Sequence, residues 1–110
     1  MAKRAKSQAK PKEAKEQTTN LLAKAPAEQA FLCHDGNVFT DMKELAEGLS
    51  AMTDETFSYH ANQEKNDFSN WLMDVIKDEK LAGDLTTATT RLEAVGFVTS
   101  RLAFLRGGLY

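Results

Sequence analysis

The apolar positions of this chain recur regularly only from about residue 30 onward. Residues 30–40 read AFLCHDGNVFT, two short apolar runs around His34-Asp35-Gly36-Asn37. Asp-Gly between such runs predicts a β-hairpin with a two-residue type I′ turn, which needs positive φ at both central residues. That register pairs Cys33 with Val38 and Leu32 with Phe39. A two-stranded ribbon is marginal alone, so it must lie on the helices that follow. The first helix opens at Asp41, with Glu44 at capping-box spacing and Thr40 an equally good cap. Met42, Leu45, Ala46 and Leu49 share one face, and Gly48 and Ser50 predict its end. Thr53 then reads as an N-cap, with Asp54 and Glu55 in the first turn where the helix dipole favours acids. Met52 and Phe57 have the spacing of a hydrophobic staple, and this short helix runs to about His60.

Asn66 caps the next helix. Phe68, Trp71, Leu72, Val75 and Ile76 follow at the three- and four-residue steps of a single apolar face, which predicts a buried Trp71. Residues 78–82 add one turn, stopped by Gly83. Asp84 or Thr86 opens the last and longest helix, which reaches about Arg106 before Gly107-Gly108. Its main stripe is Leu85, Ala88, Leu92, Val95, Val98, Leu102 and Leu105. Ala94, Phe97 and Phe104 form a second stripe, interrupted by Arg101. The fold class that follows is mainly α: a four-helix compact body with a short N-terminal β-hairpin, one domain over residues 30–110.

Residues 1–29 read as a basic, flexible and largely disordered arm. The segment AKRAKSQAKPKEAKEQ has no aromatic residue, and Pro11 and Pro26 interrupt any helix. It has too little apolar area to offset the entropy of ordering it. Leu21 and Leu22 are the one bulky apolar pair able to anchor a turn to the body. The net charge of −2 conceals a segregation. Residues 1–30 carry seven basic residues against three acids, a net of +4. Residues 31–84 carry four against twelve, a net of −8, and residues 85–110 three against one, a net of +2. A basic arm, an acidic body and a mildly basic last helix describe the chain better than its isoelectric point.

The body also carries a recognisable pattern. An apolar Asp35-Gly36 turn precedes a helix bearing Leu45 and Leu49. Phe57-x-Tyr59-His60 follows, then Asn66-Asp67-Phe68-x-x-Trp71, and last Asp78-x-x-Leu81-Ala82. Over residues 31–82, about half the chain, this resembles a family of small prokaryotic domains of unknown function. The resemblance implies one compact body and carries no activity, and it covers neither the arm nor most of the last helix.

The chemistry is sparse. The chain of 110 residues has one cysteine, two histidines and no apolar run of membrane-spanning length. A lone cysteine makes no internal disulfide, so the expected compartment is the cytoplasm. Cys33, His34 and His60 lack the spacing of a zinc site, and adjacent residues on a strand face opposite ways. No glycine-rich phosphate loop is present. No cofactor, no metal and no enzymatic activity is expected, and the sequence identifies no small-molecule substrate. His60, Asn66 and Asp67 form the best polar cluster, read as caps that lock the turn between two helices.

Two functions fit this pattern. The first is a small non-enzymatic nucleic-acid-associated protein whose arm, through Lys3, Arg4, Lys6, Lys10, Lys12 and Lys15, meets phosphates of DNA or RNA. The alternative is a protein-interaction or scaffold module working through the C-terminal helix at Phe97, Arg101 and Phe104. Its partner would be another helical protein or a second copy of the chain.

Overall fold

The computed structural model describes residues 21–107. The expected hairpin is present as β1 (Phe31–Leu32) and β2 (Val38–Phe39), antiparallel. Its register differs by one residue. Phe31 pairs with Phe39 and Leu32 with Val38, and the Cys33 N–H donates to the Asn37 carbonyl at 2.8 Å. The turn therefore holds three residues, His34, Asp35 and Gly36. A type I′ turn requires Asp35 at positive φ, yet in this loop only Gly36 has it, at +96°. A type I turn closed by a left-handed glycine puts just one residue there. The Gly36 N–H closes it onto the Cys33 carbonyl at 2.9 Å, and the Asp35 carboxylate accepts from the Asn37 N–H at 3.0 Å. Because side chains alternate, this register decides the faces. Phe31, Cys33 and Phe39 are buried, while Leu32 and Val38 face solvent.

Helix α1 (Met42–Ala51) buries Met42, Leu45, Ala46 and Leu49, the face that the spacing predicts. The Asp41 carboxylate caps it, accepting from the Glu44 N–H at 2.8 Å, while Glu44 reaches back to the Thr40 N–H at 2.7 Å. Gly48 does not end α1. It lies inside the helix, under the Phe39 ring, where a Cβ would overlap the ring atoms. Close approach of the hairpin is its reason, and the helix runs on to Ala51. Helix α2 (Asp54–His60) has the Thr53 cap expected of it, and Met52 and Phe57 are both buried.

Helix α3 (Asp67–Trp71) is capped by Asn66 and continues directly into a π-helical turn, Leu72–Ile76. Phe68, Trp71, Leu72 and Ile76 are buried, and Val75 is half-buried. The turn ends at Lys77, which has φ +72°, and the Leu72 carbonyl receives the N–H groups of both Lys77 and Asp78. A lysine there is strained by about 1–2 kcal/mol relative to right-handed backbone. Lys77→Gly is expected to raise stability by about 1 kcal/mol, the strain relieved less the extra entropy glycine brings to the unfolded chain. An unchanged or lower urea midpoint would count against that strain.

From Asp78 onward the boundaries differ from those expected. Asp78 caps a separate helix, α4 (Glu79–Thr86), by accepting from the Leu81 N–H at 3.0 Å. Gly83 lies within α4 and does not stop it, because burial of Leu81, Ala82 and Leu85 outweighs its low propensity. The last helix, α5 (Arg91–Leu105), begins at the Thr90 cap. Residues 21–107 thus hold five α-helices, not the four expected. The break across Thr87–Thr90 resets the helical phase. Leu92, expected in the main stripe, is 70% exposed, while Ala94, expected in the second, joins Val98, Leu102 and Leu105 in the core.

Helix α5 packs chiefly on α1, and α4 lies against both α3 and α5. The hairpin covers the other side. The Phe31 ring stacks on Phe68 with centroids 5.0 Å apart and meets Trp71 edge-on at 6.0 Å. Residues 21–29, grouped with the arm on composition, pack here too. Leu21 is buried, the Ala25 N–H donates to the Thr40 carbonyl, and the Gln29 carbonyl accepts from Trp71 Nε1 at 2.8 Å. Among the described residues, no helix is long and apolar enough to cross a membrane.

Candidate functional site

The polar cluster at the α2–α3 turn is assembled from three elements. His60 ends α2 and is buried against Phe31 and Phe68. Its Nε2 accepts from the His34 backbone N–H at 2.9 Å, which leaves Nδ1 as the N–H that donates to the Asp67 carboxylate at 3.0 Å. Burial raises the Asp67 carboxyl, but the donors His60 and Lys65 outweigh it and hold the group below the usual carboxylate range. Asn66 caps α3 by accepting from the Ser69 N–H and donates to the Leu85 carbonyl at 3.1 Å. Every member is thus engaged in joining the hairpin, α2, α3 and α4. The link from His60 to the hairpin backbone is not legible in the sequence, because it joins residues 26 apart through a main-chain group.

Around this pin, His34 stacks on Tyr59 with centroids 3.9 Å apart, and the Lys65 ammonium sits 4.9 Å from the Tyr59 centroid. Cys33 faces inward and His34 outward, as alternation requires. Burial pushes the Cys33 thiol up from its ordinary value, which makes it a poor nucleophile. No group of three or more metal-ligating side chains comes together among the described residues.

Most basic side chains of the body are paired with carboxylates. Lys24 bridges Asp41 and Glu44, Lys43 meets Glu47, Lys65 meets Asp67, Lys80 meets Asp84, and Arg91 meets Asp54. Hydrogen bonds from Thr40, with Lys24 adding to them, lower the Glu44 carboxyl to about 2. Arg101 joins Asp78 through two contacts, 2.8 Å and 3.2 Å, and Asp78 is only 1% exposed. Of the described lysines and arginines, only Lys77 and Arg106 have no ion-pair partner among the described residues.

Two concave regions remain. A cleft of about 780 Å³ runs between the α2–α3 turn and the start of α5, lined by residues including Asn62, Glu64, Thr89 and Arg91. Arg91 is already committed there, to Asp54 and to the carbonyls of Leu49 and Ser50. A more apolar groove of about 480 Å³ lies between α4 and α5, lined by Lys80, Asp84, Phe97, Ser100, Arg101 and Phe104. It brings together all three residues expected at a protein interface, in different states. Phe97 is half-buried against the core, Arg101 is held by Asp78, and Phe104 is 66% exposed. The spacing of the sequence missed exposed Leu92, whose stripe appeared to point inward. The arm residues Lys3, Arg4, Lys6, Lys10, Lys12 and Lys15 lie outside the described residues.

Comparisons with protein-family models, with curated proteins and with solved structures give no match to this chain.

Proposed function

We propose that this chain is a small, non-enzymatic nucleic-acid-associated protein whose basic arm neutralises phosphates of DNA or RNA. One observation carries the reading: within residues 21–107 nearly every cation is already paired with a carboxylate. In residues 21–107, Lys24, Lys43, Lys65, Lys80, Arg91 and Arg101 are each paired with a carboxylate. That leaves Lys77 and Arg106, in a body whose acids outnumber its bases. Phosphate is repelled by such a surface. The cations suited to meeting it are Lys3, Arg4, Lys6, Lys10, Lys12 and Lys15, with one acid, Glu13, among them and Glu16 next in the chain.

Binding through these side chains is electrostatic and tolerant of sequence. Six cations engaged on a duplex correspond to a slope of log K against log salt of about −5. Removal of residues 1–16 is expected to abolish binding in a mobility-shift titration across a salt series. Binding unchanged by that truncation would place the contact on the folded body and defeat the proposal. The exposed Leu92 and Phe104 support a second reading, a protein-interaction module that works through α5.

A further inference from the structure

We propose that His60 is a proton-operated latch: a proton taken at Nε2 breaks its bond to the His34 N–H and frees the β-hairpin from the α2–α3 turn. In the docked fold Nε2 is an acceptor, 2.9 Å from the His34 nitrogen. Nδ1 carries the hydrogen of the neutral ring and directs it at Asp67 Oδ2, 3.0 Å away. The ring can therefore gain a proton only at Nε2. An Nε2–H and the His34 N–H are two donors aimed at each other, so the protonated ring and the docked hairpin exclude one another.

The hairpin offers the His34 N–H no replacement. Its own bonds run from the Cys33 N–H to the Asn37 carbonyl, from the Gly36 N–H to the Cys33 carbonyl and from the Asn37 N–H to the Asp35 carboxylate. The His60 ring is 4% exposed and packed against Phe31 and Phe68. Such a site has little water to solvate a charged ring, and an N–H left there without a partner is costly. Opening relieves both, and a ribbon of two strands holds together poorly once it leaves its support.

The charges around His60 decide which contact breaks. Asp67 and Lys65 lie on the α2–α3 side, Tyr59 meets the ring edge-on from α2, and the hairpin brings Cys33, His34 and Asp35. Glu64 is exposed in the turn and lines the cleft beside α5, while Asp54 and Glu55 sit at the far end of α2. Asp67 favours an imidazolium, and Lys65, 3.0 Å from the same Oδ2, offsets part of that attraction. The charged ring thus stays with Asp67. Nothing on the hairpin holds it: the Asp35 carboxylate is engaged by the Asn37 N–H, burial pushes the Cys33 thiol up, and the His34 ring is stacked on Tyr59. The hairpin is what leaves, and it uncovers Phe68 as it goes.

Backbone hydrogen exchange of the full chain, followed by NMR and corrected for the intrinsic pH dependence of exchange, tests the latch from pH 7.5 to 5.5. A water-exposed imidazole takes its proton near about pH 6.5, and one extra proton in the released form favours release by at most about tenfold per pH unit. Protection of the His34 and Cys33 amides is expected to fall by about tenfold over this range, while α1 amides such as Leu49 keep theirs. The chain has two histidines. His34→Ala retains the backbone N–H and should retain the fall; His60→Gln should lose it. Protection in the wild type that does not change with pH overturns the latch. So does a fall that disappears in His34→Ala or persists in His60→Gln, or a ring 15N spectrum that puts the hydrogen of the neutral His60 on Nε2. Should His60→Gln not fold, the wild-type ring spectrum decides: a His60 charged at pH 5.5 with His34 protection intact overturns the latch, and charging together with lost protection supports it.

Discussion

Arg101→Ala is expected to lower stability by about 3–5 kcal/mol, the range for removing one partner from a buried ion pair. Asp78 is 1% exposed, and its two oxygens receive Arg101 Nε at 2.8 Å and Nη2 at 3.2 Å. The carboxylate also caps α4 through the Leu81 N–H. Truncation of Arg101 leaves that charge without its counterion in a site with little access to water. A body of this size has a total stability on the order of 5–15 kcal/mol, so the variant should be substantially unfolded or close to it. Urea titrations followed by the fluorescence of the single tryptophan measure this directly. The double variant Arg101→Met/Asp78→Asn should recover most of the loss. It removes both charges, keeps a side-chain oxygen at the cap and retains the volume of the long side chain. If Arg101→Ala shifts the curve by less than about 1 kcal/mol, the pair is a surface contact in solution and not a brace.

Trp71→Ala should cost about 3–5 kcal/mol by a different route, a cavity in the aromatic core. Trp71 is 7% exposed, meets Phe31 edge-on, and donates Nε1–H to the Gln29 carbonyl at 2.8 Å. The residue therefore fills the core and also ties residues 27–29 to α3. Trp71→Phe separates the two roles. It keeps most of the apolar area and drops the hydrogen bond, at roughly 0.5–1.5 kcal/mol for the bond itself plus a smaller packing loss. Thermal unfolding by circular dichroism measures both variants without a tryptophan signal. Limited proteolysis should cut Trp71→Phe near residues 24–30 sooner than wild type. A native fluorescence maximum typical of full exposure in the unmodified protein would contradict the burial on which both expectations rest.

The elements most legible in the sequence were those with strong local chemistry at their ends. Thr53 and Asn66 cap α2 and α3 as their residue types and spacing predict, and the apolar faces of α1 and α3 point inward. These signals span one or two helical turns, so the chain itself contains all the information. The errors fell where a local signal was ambiguous. Asp-Gly is compatible with a two- or a three-residue hairpin loop, and packing of both Phe31 and Phe39 against the core goes with the latter. Gly48 and Gly83 read as helix stops from propensity, yet each lies inside a helix. One admits the Phe39 ring, and the other sits in a helix held by the burial of its neighbours.

The functional surface divides in the same way. Segregation of charge between arm and body follows from composition alone, and so does the excess of apolar residues on the last helix. Which of those residues are free depends on partners distant in the chain. Arg101 is committed because Asp78, 23 positions earlier, is brought within reach of it, and His60 is committed because the His34 backbone N–H donates to its Nε2. Leu92 is exposed because α5 starts afresh at Thr90, out of phase with α4. Periodicity carries through a continuous helix and stops at a break, so the sequence determined that the last helix has more apolar positions than one face needs. Only the tertiary structure decided which of them the core takes, since that choice belongs to the angle at which each helix meets its neighbours.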